Sequence, residues 1–277
     1  MQFAERIAVQ ELESLETASF EGPITVVQEP GEDLVEAVEY LRRQPILGFD
    51  TETKPCFQSN APHNKMALLQ LSGKEKAYLF KLQVLGLPVA IAEILSDPKV
   101  VKVGAAVRDD VRGLQYYTSF VPRNFVDLQK LTDAFGIRDN SVKKMAGIIL
   151  NQKVSKSQQL SNWEAPQLTG PQLKYAATDA WICLEMYEAL MQVGEAGMRP
   201  LPVQQDPNAE PGSPMPVGEL LTLDEAMARA TLNGDVNQKA SRPKKKLSAD
   251  AKKRRNRSRN LRRRKKKQEK KQLSENQ

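Results

Sequence analysis

Apolar and polar residues follow each other in patterns that predict strands and helices up to about residue 193. Short apolar runs predict strands at residues 24–27, 46–50, 66–71, 77–80, 100–104 and 125–127. Apolar residues spaced three or four apart predict helices at residues 31–43, 88–95, 107–117, 128–135, 141–150 and 170–193. Gly73, between two of the strands, favours a hairpin. A hairpin followed by alternating strands and helices predicts an α/β fold, a mixed sheet flanked by helices.

The composition changes after residue 193, and this change predicts how the chain is divided. We expect an N-terminal extension at residues 1–21, a folded domain at 22–193, a linker at 194–238 and a basic tail at 239–277. Pro, Gly and polar residues fill the start of the linker, and one short helix is predicted at residues 220–232. The tail lacks apolar core residues, so it should be disordered alone and become helical on an anionic surface.

The charges of the chain are strongly separated. Residues 239–277 contain 19 Lys and Arg against three acids, a net charge of +16, which leaves −9 for residues 1–238 of the overall +7. Such a basic segment predicts contact with RNA or another polyanion, because Lys and Arg release the counterions of nucleic acids. The tail would anchor the protein on structured RNA or ribosomes, direct it to a nucleus, or raise the local substrate concentration; we favour anchoring.

Several classes of protein are disfavoured by the composition. Cys56 and Cys183 have no metal-ligand spacing, and we expect reduced thiols in a cytoplasmic protein, or a nuclear one if the source is eukaryotic. With His63 as the single histidine, a histidine-based zinc site is disfavoured. No long uninterrupted apolar stretch predicts a membrane span, and residues 1–19 do not resemble a secretory signal.

Two carboxylates follow the apolar run at residues 46–49. Side chains two positions apart on a strand share a face, so Asp50 and Glu52 are expected to lie together. Buried carboxylates are costly unless they are paired or bind a metal, and this favours a metal site over an acidic pair in a surface turn. All-oxygen ligand sets suit hard cations such as Mg²⁺ or Mn²⁺.

Further candidate residues lie in two predicted helices. Asp110 is in the first turn of a helix that follows Gly104, where acids also occur as ordinary helix-start residues, and Asp109 is an alternative candidate. Tyr175 and Asp179 are four residues apart and so share a helix face. A buried tyrosine bonded to an aspartate would explain that pair equally well, and only the order of all the acids is specific.

In this order the residues resemble the DEDD superfamily of 3′–5′ exonucleases, closest to the branch of ribonuclease D and the Werner-type exonuclease. Residues 49–53, Phe-Asp-Thr-Glu-Thr, resemble the first motif, and residues 102–110 the second. Tyr175 and Asp179 resemble the third motif in its tyrosine form, because Lys174 stands where the other subtype has histidine. The resemblance covers roughly residues 22–193.

The resemblance implies a ribonuclease H-like fold with a five-stranded mixed sheet and a two-metal site. Asp50 would bridge two Mg²⁺ or Mn²⁺ ions, Glu52 and Asp179 would complete the first site, and Asp110 would hold the second. Tyr175 would orient the attacking water. The implied activity is hydrolysis of nucleic acid from a 3′ end to nucleoside 5′-monophosphates.

Contacts with the substrate are predicted less directly. Thr53 would bond the terminal nucleotide through its backbone. Lys156 would line the path of the nucleic-acid strand, together with three other lysines that precede the third motif, Lys143, Lys144 and Lys153. Alternatively, all four lysines form a solvated basic surface. Trp163 either stacks on a base or packs in the core beneath the site.

The leading hypothesis is therefore a metal-dependent 3′–5′ exonuclease, with RNA slightly favoured over DNA. The alternative is a catalytically weak adaptor that binds RNA or ribosomes through residues 239–277. The oligomeric state is left open by the sequence.

Overall fold

A computed structural model describes residues 2–56, 64–199 and 221–233. The strands in these ranges are β1 (Glu16–Thr17), β2 (Ile24–Val27), β3 (Ile46–Thr53), β4 (Met66–Ser72), β5 (Ala77–Lys81), β6 (Val101–Gly104), β7 (Phe125–Asp127), β8 (Gln152–Lys153) and β9 (Thr231–Leu232). The helices are α1 (Val9–Ser14), α2 (Glu32–Arg42), α3 (Leu82–Leu85), α4 (Val89–Ser96), α5 (Val107–Leu114), α6 (Leu128–Ala134), α7 (Val142–Leu150), α8 (Gly170–Val193) and α9 (Leu223–Ala230). His63 and the basic tail at 239–277 lie outside the described residues.

Seven strands form one mixed sheet in the order β2-β5-β4-β3-β6-β7-β9. The pairs β3–β4, β4–β5 and β7–β9 are antiparallel, whereas β2–β5, β3–β6 and β6–β7 are parallel. Its middle is the expected five-stranded ribonuclease H-like sheet, and β2 and β9 add one strand at each edge. The predicted hairpin and the mixed sheet flanked by helices are confirmed.

The packed body extends past residue 193, where the sequence predicts that it ends. The helix expected at 220–232 forms as α9, and Leu221, Ala226 and Ala230 bury their side chains in the core that contains α6. The following strand β9 pairs with β7. This pairing occupies backbone groups that β7 would otherwise leave exposed at the sheet edge. Residues 221–233 are therefore part of the fold and not a linker.

The N-terminal segment, residues 2–21, also packs on the body. Phe3, Ile7, Leu12 and Phe20 are buried. Strand β1 pairs in parallel with β8 as a separate two-stranded sheet. The backbone N–H of Phe20 donates to the Thr178 hydroxyl of α8 at 3.0 Å. The segment that the sequence predicts as an extension thus contacts both α7–β8 and α8.

Helix α8 lies directly against the centre of the sheet, and this contact positions the site. Thr169 and Gln172 form a capping box at its start, and Pro171 occupies the first turn. A Cβ atom at Gly48 would lie 2.0 Å from the carbonyl oxygen of Ala180, so only glycine lets helix and strand approach this closely. No helix in the described ranges is long and apolar enough to span a membrane.

Candidate active site

Three of the predicted acids meet where the end of β3 faces α8. Asp50 and Glu52 lie on the same face of β3, and Asp179 lies on α8, the helix that packs against β3. One carboxylate oxygen from each of the three lies within 4.8 Å of the other two. The strand register and the close contact at Gly48 thus bring together residues that are 129 positions apart in the sequence.

Asp110 lies beside this group of three without being part of it. The hydroxyl of Thr51, between the two β3 acids, donates to Asp110 Oδ1 at 2.6 Å. The charge of Asp110 raises the pKa of both Asp50 and Glu52, so the fourth acid is electrostatically coupled to the set. Its neighbour Asp109 is exposed and pairs with Arg112 at 3.0 Å. Of the two candidates in α5, Asp110 is the one at the site.

The turn before α5 depends on an aspartate that the sequence reasoning missed. Ala106 adopts a left-handed conformation with φ 57° and ψ 32°, which is unfavourable for alanine. Its N–H donates to Asp127 Oδ1 at 2.9 Å, and the same oxygen accepts from Gln129 N–H at 3.2 Å. Asp127 therefore fixes the start of α5 and caps α6. An aspartate between a strand and a helix is the sequence signal that would have found it.

Burial and mutual repulsion make these acids difficult to ionise together. Burial, with the neighbouring carboxylates, raises the pKa of Asp50 well above its usual value and that of Glu52 to about 8. Burial raises the pKa of Asp179 to about 7, although Tyr175 and Lys156 oppose this, and that of Asp110 to about 6. A hard divalent cation would relieve the repulsion, and the oxygen donors present fit such an ion.

Tyr175 lies one helical turn before Asp179, and its hydroxyl donates a hydrogen bond to that carboxylate. This bond partly offsets the rise that burial causes in the pKa of Asp179. Burial, followed by the charges of Asp179 and Glu52, raises the pKa of the phenol above its usual value. Tyr175 therefore remains protonated near neutral pH and acts as a hydrogen-bond donor.

Trp163 packs against this tyrosine, with ring centroids 5.9 Å apart. Its side chain is completely buried. A buried ring offers no face to a nucleotide, so the predicted base-stacking role is not supported by its position. The core alternative describes this residue, because it packs beneath the site with Leu68, Leu79 and Ala176.

A cleft of about 310 Å³ opens over the acids. Lys143, from the start of α7, and Lys156, after β8, both line it. Lys144 instead pairs with Asp139 at 2.9 Å, away from the cleft lining. Two of the four predicted lysines are thus at the cleft, together with Cys183, which was not among the predicted site residues.

Thr53, the predicted contact to the terminal nucleotide, is exposed at the end of β3, where the pairing with β4 shifts register after Glu52. Within the described residues it is not part of the cleft lining. Its neighbour Lys54 pairs with Glu164 at 3.1 Å. This ion pair links the strand end to the loop that carries Trp163.

Comparisons with known proteins agree with this geometry. Residues 26–195 match a family model described as 3′–5′ exonuclease. The chain is 28% identical over 177 residues to ribonuclease D of Gluconacetobacter diazotrophicus, covering 63% of this chain and 44% of that protein. It is 33% identical over 173 residues to exonuclease 3′–5′ domain-containing protein 2 of Drosophila melanogaster, covering 60% and 29%.

A solved structure gives the same picture. The EXO domain of Nibbler from Aedes aegypti superposes with a TM-score of 0.53 and 27% identity, covering 61% of this chain and 87% of that domain. By contrast, the alignments span less than half the length of the two curated relatives.

Proposed function

Because the chain belongs to the 3′–5′ exonuclease family, we propose that it hydrolyses nucleic acid from the 3′ end and releases nucleoside 5′-monophosphates. The observation that carries this proposal is the partly buried group of Asp50, Glu52 and Asp179, in which one carboxylate oxygen from each residue lies within 4.8 Å of the other two. Bringing three carboxylates together in this way lowers the stability of the fold, and such groups are typical of functional sites.

The donor set supports Mg²⁺ or Mn²⁺ as the cofactor, in two sites. Asp50 would contribute to both sites, Glu52 and Asp179 to the first, and Asp110 to the second. When bound, two such ions supply Lewis acidity that activates a water and stabilises the charges on the entering and leaving oxygens. The raised pKa values show that the ionised acids are unfavourable together, and a bound cation would stabilise their ionised forms.

The residues of the chain would orient the reactants. The Tyr175 hydroxyl, held beside Asp179, would fix the position of the attacking water. That water adds to the phosphorus of the terminal nucleotide, and the bond to the 3′ oxygen of the preceding nucleotide breaks. A protonated phenol cannot serve as the base, so its contribution is geometric.

For the substrate we favour RNA over DNA, because one of the relatives is named a ribonuclease. Lys156 and Lys143 would contact backbone phosphates, since both line the cleft. Residues 239–277 would add a longer-range contact to RNA or another polyanion.

The test is cleavage of 5′-labelled RNA and DNA oligonucleotides of matched sequence, with Mn²⁺ or EDTA. We expect a ladder that shortens from the 3′ end and disappears with EDTA and in Asp50→Asn. Asp109→Asn is the matched control, because its exposed carboxylate lies next to the site residue Asp110 but outside the site. Tyr175→Phe should retain metal-induced thermal stabilisation and lose roughly a hundredfold in kcat.

Tight binding of both oligonucleotides by the wild type without any ladder would reject the exonuclease. That result would favour the second candidate, an adaptor that acts through its basic tail. The relative rates on the two substrates measure the preference for one sugar.

A further inference from the structure

The N-terminal segment, residues 2–21, lies before the family match at 26–195, yet it reaches the cleft wall. Glu13, in α1, accepts from Lys143 Nζ at 2.5 Å through Oε1. Its other carboxylate oxygen lies 3.6 Å from Lys153 Nζ. These two ammonium groups, that of Lys143 foremost, hold the pKa of Glu13 below its usual value. A carboxylate from outside the matched domain thus forms an ion pair with a lysine that lines the cleft.

Packing on both sides of Glu13 holds it in this place. Leu12 is buried against α7, where a Cβ on Gly147 would lie 2.7 Å from its Cδ1 atom. The N–H of Ile7 donates to Asp139 Oδ2 at 3.1 Å. Downstream, Ala18 N–H donates to the carbonyl of Lys153 at 2.8 Å, next to the β1–β8 pairing. The backbone of α1 is therefore fixed against α7 and β8, and Glu13 cannot drift freely from the lysines.

We propose that Glu13 sets the affinity of the cleft for the phosphodiester backbone by competing with phosphate for Lys143. The inference rests on the proposed function, because it assumes that the cleft binds nucleic acid. Lys143 is directed to the cleft by α7, but its charge is offset by Glu13. A substrate phosphate must replace that carboxylate to gain the full interaction.

The competition has a definite sign. The Glu13 side chain is about half exposed, so neutralising it would leave Lys143 without that partner and disturb the core little. The freed ammonium would be available to a phosphate, and one negative charge would be removed from beside the substrate path. Both effects strengthen the binding of a polyanion.

The experiment measures the dissociation constant of a 5′-fluorescein-labelled oligonucleotide by anisotropy, with the full chain in EDTA and at a series of salt concentrations. We expect Glu13→Gln to bind about two- to fivefold more tightly. The slope of log affinity against log salt should steepen by about 0.7, the value for one more phosphate contact on a single strand.

Glu11→Gln is the matched control, since Glu11 is an exposed acid of the same helix that forms no ion pair within the described residues. It should leave both the affinity and the salt slope close to those of the wild type. In a Lys143→Met background, Glu13→Gln should change the affinity much less, because the lysine through which it acts is gone.

Three results would overturn the inference. Unchanged or weaker binding by Glu13→Gln would do so, as would an equal gain from Glu11→Gln, which would indicate a general charge effect. A full gain in the Lys143→Met background would show that Lys143 is not the contact. If the wild type binds no oligonucleotide in EDTA and also cleaves none with Mn²⁺, the proposed function fails as well, which distinguishes that failure from the first three.

Discussion

At the scale of single residues, the surroundings of the carboxyl groups at the site disfavour their ionisation. The ordinary values are 3.8 for Asp and 4.5 for Glu, whereas burial raises the pKa of Asp110 to about 6, Asp179 to about 7 and Glu52 to about 8. The folded protein therefore binds more protons than the unfolded chain between these values. The stability that these protonated groups contribute is fully present below about pH 4, under the values of the unfolded chain, and is lost as the pH rises through about 6 to 8.

This leads to a prediction for thermal unfolding at different pH values. Without metal, the melting temperature should fall between about pH 5 and pH 8, because raised carboxyl pKa values favour the folded state only while the groups are protonated. Added Mn²⁺ should raise the melting temperature more at pH 8 than at pH 5, since it binds the ionised groups. Asp50→Asn should abolish the metal effect, and a metal effect that is largest at low pH would contradict the account.

At the scale of elements, the start of α5 links the end of β7 to the acids of the site. Asp127, at the end of β7, bonds the left-handed Ala106 and so determines where α5 begins and where Asp110 is placed. A loss of this contact would act through the backbone. It would leave the other three acids in place, because they lie on β3 and α8.

We therefore predict different results for two substitutions of this residue. Asp127→Ala removes the acceptor for two N–H groups and should destabilise the fold by about 1–3 kcal/mol and lower kcat. Asp127→Asn retains an acceptor oxygen and should recover most of both. The measurements are the free energy of unfolding in urea and the kinetics of cleavage. Equal loss in both variants would indicate that the charge, and not the bond to Ala106, is what matters.

The same elements indicate what the sequence could predict. Strands β3 to β7 and helices α4 to α8 were predictable within a few residues, because each has its own apolar pattern. Strands β1, β8 and β9 have two residues each, and their pairing depends on partners far away in the chain. The resemblance to the second exonuclease motif predicted Asp110, but only the structure shows that Asp109 is exposed and paired with Arg112. Likewise, periodicity does not reveal that Trp163 is buried.

For the whole molecule, the separation of charge is the dominant feature. Residues 1–238 carry a net −9, whereas residues 239–277 carry +16. A body with this charge repels a polyanion at long range, and the cleft lysines Lys143 and Lys156 offset the repulsion only locally. We expect the tail to supply the long-range attraction.

Deletion of residues 239–277 should weaken binding to RNA and flatten its salt dependence, because fewer counterions are released. Single-turnover cleavage of a saturating oligonucleotide should remain intact. A tail of identical composition in shuffled order is the control: it would restore binding if charge alone is sufficient. Loss of single-turnover cleavage on deletion would reject the anchoring role.

The pairing partners of the first and last strands also set the order in which the chain can fold. Strands β4 and β5 are joined by a four-residue connection at residues 73–76, whereas Glu16 pairs with Gln152 and Thr231 with Val126. The entropy lost in closing a loop increases with its length, so the local hairpin should form early and both terminal segments should dock late. Asp50 and Asp179 are 129 positions apart, so the acid group should also assemble late, and a refolding intermediate that contains only the hairpin should not bind Mn²⁺.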